Sequence, residues 1–154
     1  RAPWLTGSYL HEPEKGAELW AGGWLHTGDV ATLDHRGAID IRDRIKDVIK
    51  SGGEWVSSLE LEDLIGRHAQ VREVAVVGVP DAQWGERPVA MLVLAEDARL
   101  DAEALKDHLQ PFVDAGSLRP WAVPAQVVLV TEIPKTSVGK LDKKRIRHQV
   151  SQTL

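Results

Sequence analysis

Two valine-rich runs dominate the middle of the chain, Val71 to Val79 and Pro88 to Ala95, with the polar segment Asp81-Ala82-Gln83-Trp84-Gly85-Glu86 between them. Short apolar runs of β-branched residues bounded by turn-formers predict buried strands. A sheet with a buried face must be covered, and the flanking sequence supplies helices to do it. Ser57 and Glu60 have the spacing of a helix capping box, and Leu61, Leu64, Ile65 and His68 follow at helical intervals. Together they predict a helix over 58–67. Asp101 is a good N-cap for a second helix, with Ala104, Leu105, His108, Leu109 and Phe112 on one face and Gly116 as a stop. A third strand is expected over 125–130 and a last short helix over about 142–150.

Ahead of this block, two short runs, 24–33 and 38–42, flank the turn Asp34-His35-Arg36-Gly37, which predicts a β-hairpin. A second hairpin is expected across Val48 to Val56, because Gly52-Gly53 supplies the positive φ angles of a tight turn. Residues 1 to about 22 show no periodicity and read as irregular. Six of the aromatic residues are Trp, four of them in the first 55 positions (Trp4, Trp20, Trp24, Trp55), where they could pack a small β-rich core. The fold class is α+β: a three-stranded sheet with flanking helices and a β-hairpin, preceded by a separate hairpin.

The chain has 154 residues, 27% charged and 43% hydrophobic, with a net charge of -4 and no cysteine. Disulfides and thiolate metal sites are excluded. The six histidines show no metal-ligand spacing, so no protein-held metal is expected. No apolar run reaches the roughly 20 residues that span a bilayer. The basic stretch from Lys140 to His148 reads as a solvated helix face in an acidic protein, not as a nucleic-acid site. No apolar signal core follows the N-terminus, which also lacks Met; we expect the chain to begin inside a longer product.

Four places could carry chemistry. The loop Ile133 to Lys140 ends in Gly139-Lys140 but is not a phosphate-binding P-loop: Pro134 stands where the first glycine belongs, and Leu141 replaces the Ser or Thr that would reach magnesium. Pro134 and Gly139 stiffen and bend it, leaving Lys140 at the tip as a cation for developing negative charge. Alone, it reads equally as a solvated surface lysine. Asp29, in Thr27-Gly28-Asp29, could accept both hydroxyls of a ribose or simply form a turn. Arg44 could grip vicinal hydroxyls or phosphate, or pair on the surface with Asp43 or Asp47. Gly52 and Gly53 could admit a ligand to the backbone or only close a hairpin.

In combination and in this order, these pieces resemble the adenylate-forming superfamily of acyl-CoA synthetases, luciferases and peptide-synthetase adenylation domains. The match is carried by Gly23-Trp24-Leu25-His26-Thr27-Gly28-Asp29, Ile41-Arg42-Asp43-Arg44-Ile45-Lys46-Asp47, Ile49-Lys50-Ser51-Gly52-Gly53-Glu54-Trp55-Val56 with Glu60-Leu61-Glu62, and Pro134-Lys135-Thr136 to Gly139-Lys140. Gly78-Val79-Pro80-Asp81 and Trp84-Gly85-Glu86 are similar too. The resemblance implies that Asp29 and Arg44 grip the nucleotide ribose, that Lys46 lies at a hinge, that Gly52 and Gly53 line the channel for CoA, and that Lys140 is the catalytic lysine of adenylation. Residues 1–44 would be the tail of a large N-terminal domain, and 45–154 the mobile C-terminal lid. The implied substrates are a carboxylic acid, ATP (with AMP formed) and CoA, with magnesium bound to ATP and not held by this chain. The form of the glycine loop is most similar to medium-chain and other fatty-acid:CoA ligases; the absence of cysteine fits a reducing compartment, and a cytoplasmic location is expected. The superfamily's phosphate loop and acid pocket lie in the missing N-terminal domain, so the isolated chain is expected to be inactive. The alternative is a non-catalytic nucleotide- or CoA-binding or docking module. Residues 1–44 are expected to be partly frayed without their partners.

Overall fold

In the computed structural model, which describes residues 2–154, the two valine-rich runs form one long antiparallel hairpin, β5 (Val71–Asp81) and β6 (Gly85–Leu94). Their side chains alternate between two apolar layers. Val76, Ala90 and Leu92 face one core, while Ala75, Val77, Val89, Met91 and Val93 face the other. Near-continuous hydrophobicity is the mark of strands buried on both sides. The first layer is covered by α2 (Ser58–Gly66), through Leu61, Leu64 and Ile65, and by α3 (Ala102–Asp114), through Leu105 and Leu109. The second is covered by Ile146 and Val150 of α4 (Lys143–Thr153). Strand β7 (Gln126–Leu129) returns beside β6 in parallel after the α3 crossover.

The helix signals act as read. Ser57 Oγ accepts the Glu60 backbone N–H at 3.1 Å, and Asp101 Oδ1 accepts that of Ala104 at 2.8 Å. The hairpin β3 (Ile49–Ser51) and β4 (Glu54–Val56) forms at Gly52-Gly53. It is not separate from the three strands β5, β6 and β7: Ser51 pairs with Gly85 of β6, so the sheet has five strands. The segment expected to loop through 81–86 is tighter than its composition suggests. The Asp81 carboxylate accepts the N–H groups of Gln83 and Trp84, each at 2.8 Å, and this closes the turn. Those two bonds also hold the Asp81 carboxyl below the usual carboxylate range.

The chain divides into two compact units between Lys46 and Asp47. The first contains the expected hairpin, β1 (Asp29–Leu33) and β2 (Ile39–Arg44), turned at Asp34, whose Oδ1 accepts N–H from Arg36 and Ala38. Two expectations fail in this unit. Residues 1–22 are not all irregular: α1 (Pro13–Leu19) is a helix entered through Pro13. Only Gly16 of it is buried, so it has no apolar stripe to betray it. Nor do the early tryptophans form a core. Trp4 is 83% exposed and Trp24 61%, and Trp55 in the second unit is 59% exposed. Among the described residues every buried hydrophobic side chain lies at Val48 or beyond. No helix among those residues is long and apolar enough to cross a membrane.

Candidate functional site

Lys140 stands on a loop that closes on itself. Lys135 bridges to Leu141, the Thr136 N–H donates to the Lys140 carbonyl at 2.7 Å, and the Gly139 N–H donates to the Thr136 carbonyl at 2.9 Å. Thr136 Oγ1 accepts the Lys140 N–H at 3.2 Å. Gly139 has φ +79°, the left-handed value that lets the turn complete. Thr136, Gly139 and Lys140 thus cross-link the loop while the Lys140 side chain stays exposed, without an ion pair among the described residues. At the loop's base, Lys135 Nζ pairs with Glu73 near the start of β5 at 2.7 Å.

The glycine pair lies at the other end of the sheet. Gly52 has φ +60° and Gly53 φ +82°. The Gly52 N–H donates to the Trp84 carbonyl at 2.8 Å, and a Cβ on Gly52 would stand 2.9 Å from Cε3 of the Trp84 ring. Glu86 Oε2 accepts the Lys50 N–H at 2.8 Å and tightens the same junction. The Arg87 guanidinium lies over the Trp84 ring at 5.6 Å. Sequence reasoning gave Trp84 and Glu86 no role of their own. The available signal was a large aromatic in an otherwise polar turn. The two loops are anchored to opposite ends of one rigid element: Glu73 and Asp81 are eight positions apart on β5, about 26 Å at the rise of an extended strand.

In the first unit Asp29 and Arg44 are cross-strand partners, with Arg44 Nε 3.2 Å from Asp29 Oδ1. Within the first unit, the ion pair of the described Arg44 side chain is with Asp29 and not with Asp43. Asp43 Oδ1 accepts the Arg44 backbone N–H, and Asp47 pairs with Arg147 at 2.8 Å. Both Asp29 and Arg44 remain open enough to reach a ligand, their side chains 25% and 55% exposed. Lys46 is exposed and stands at the division between the units. No group of three or more His or carboxylate side chains that could hold a metal is assembled among the described residues.

The loops, caps and sheet described above coincide with a domain of known type. Residues 60–140, more than half of the chain, match the model of the AMP-binding enzyme C-terminal domain, and the chain belongs to that family. It is 41% identical over 150 residues to a long-chain-fatty-acid–CoA ligase of Thermus thermophilus, covering 97% of this chain and 27% of that protein. It is 43% identical over 155 residues to a 3-methylmercaptopropionyl-CoA ligase of Ruegeria lacuscaerulensis, covering all of this chain and 27% of the relative. Among solved structures, o-succinylbenzoate CoA synthetase of Bacillus subtilis in complex with its acyl-adenylate intermediate superposes with a TM-score of 0.86 at 30% identity, over 96% of this chain and 29% of that one. The chain therefore spans about a quarter of the length of the curated relatives it matches.

Proposed function

We propose that the chain is the C-terminal part of an ATP-dependent acid:CoA ligase, with a fatty acid of medium length as substrate and the cytoplasm as its compartment. The observation that carries this reading is the placement of Lys140 and the Gly52-Gly53 turn at opposite ends of one sheet, on a unit that begins immediately after Lys46. No single small-molecule pose touches both ends, so each serves a separate step, and rotation about Lys46 exchanges them.

In the first step a carboxylate oxygen attacks the α-phosphorus of ATP. The bond from that phosphorus to the bridging oxygen breaks, and pyrophosphate leaves. Lys140, exposed on a cross-bonded loop, brings positive charge to the phosphate oxygens as negative charge builds on them. Asp29 accepts from the ribose hydroxyls, and Arg44 holds its carboxylate in place and donates beside it. In the second step the CoA thiolate attacks the acyl carbon and AMP departs. Gly52 and Gly53, without side chains, let the pantetheine arm pass close to the backbone. Magnesium enters this reading as the ion carried by ATP.

The partner that completes the enzyme is the large N-terminal domain that the relatives' greater length implies. The exposed apolar residues Leu33, Ile39 and Ile41 on the β1–β2 hairpin support its presence, since they have no cover within the first unit. The test combines this chain with that upstream domain, ATP and a medium-chain fatty acid, and follows pyrophosphate release. Activity should need both pieces and fall roughly 100-fold or more with Lys140→Ala. Equal turnover without the chain, or an unchanged rate in Lys140→Ala, would replace the ligase reading with that of a docking module.

A further inference from the structure

Lys143 is the first residue of α4, three positions after Lys140, and its side chain points inward. Its Nζ lies 2.9 Å from Glu62 Oε1 and 2.5 Å from Ser58 Oγ, both on α2. The same Glu62 oxygen accepts the backbone N–H of Val76 in β5 at 2.9 Å. One carboxylate therefore joins three elements: the helix it belongs to, an edge strand and the start of α4. The Lys143 and Glu62 side chains are only 11% and 12% exposed, and Ser58 is fully buried. An ion pair this dry has little freedom to wander, unlike the exposed Lys135–Glu73 pair at the loop's base.

The loop's internal bonds fix its shape but not its direction. Two anchors flank it: Ile133, buried in the second core layer, on the entering side, and Lys143 on the leaving side. Asp142 caps α4 through the Arg145 N–H at 3.1 Å, and its own N–H donates to the Pro134 carbonyl at 2.9 Å, so loop and helix start form one continuous bonded piece. We infer that Lys143 and Glu62 are positioning residues for adenylation: the buried pair fixes where the Lys140 ammonium points. The inference rests on the reading of Lys140 given above. Through Lys143 and the bonded start of α4 the pair joins directly onto the Lys140 loop, so its influence falls on adenylation.

The experiment measures the two half-reactions separately in the full ligase. Lys143→Met and Glu62→Gln should slow ATP–pyrophosphate exchange by about 10- to 100-fold, mainly in kcat, as misplacing a charged group by an ångström does. Thioester formation from supplied acyl-adenylate should stay within about two-fold. Lys143→Arg, which keeps charge and reach, should restore most of the exchange rate. A purely structural role would lower both half-reactions by the same factor, or neither, and either result overturns the inference. If Lys143→Met does not fold, Ser58→Ala, which deletes one hydroxyl of the cluster, is read in the same assay. Lys140→Ala is measured alongside: if it does not slow exchange, the ligase reading fails. Amide exchange at Gly139 in the 154-residue chain then decides the positioning claim by itself. It should quicken about ten-fold in Glu62→Gln, and an unchanged rate counts against the pair.

Discussion

Gly52 and Gly53 look interchangeable in sequence but sit in different surroundings. Both hold left-handed φ values, but only Gly52 is crowded, with the Trp84 ring where a Cβ would go. Gly53 has no atom within 4 Å of that position. Gly53→Ala should cost about 1 kcal/mol, the backbone penalty alone, while Gly52→Ala should cost about 2 kcal/mol or more because the indole must also move. Urea midpoints of the two variants check this, and equal losses would mean that the Trp84 contact carries no weight. Signals that act within a few positions were legible in the sequence: the Gly52-Gly53 turn, the Ser57 cap on Glu60, the Asp101 cap on Ala104. Partners that meet only through folding were not. Lys143 finds Glu62 across most of the domain, and no local pattern marks either residue.

At the scale of elements, the segment just past α2 meets α3 through two histidines, His68 and His108. The His68 and His108 rings pack edge to face at 4.9 Å, and His108 donates from Nε2 to the Leu64 carbonyl at 3.0 Å. His68 Nδ1 accepts the Gln70 N–H, a bond that needs this nitrogen unprotonated. Burial, and then the neighbouring His108, push the His68 imidazole below its ordinary 6.5. The unfolded chain then binds a proton that the folded one resists, so the domain loses stability as pH falls through and below about 6.5. Urea unfolding between about pH 7.5 and 5 should show this slope, and His68→Asn should flatten it. The helices themselves were readable because each buries a periodic stripe. Helix α1 was not, since a helix that buries only Gly16 has no stripe to read. The junction of Ser51 with Gly85, a single pair, likewise left no mark on either segment's pattern.

Across the whole chain the two units differ in what holds them. The second has two apolar layers around β5 and β6, whereas the described part of the first has no buried hydrophobic side chain. Amides of β5 and β6 should therefore exchange only through global unfolding, while those of β1 and β2 should exchange orders of magnitude faster when the chain is alone. Strong protection throughout the first unit would contradict this. The composition could not show it, because Trp, Ile and Leu are as frequent before Lys46 as a core would need. Only their exposure in the folded chain identifies them as surfaces awaiting cover.

The distance of about 26 Å between the anchors of the two loops also bears on how such a domain can change over generations. Sites so far apart, with no shared side-chain partner, combine their substitutions additively, to within about 0.5 kcal/mol. Alterations around Gly52 can thus accumulate without repair at Lys140, and the reverse. Either end of the one small sheet can thus be edited alone.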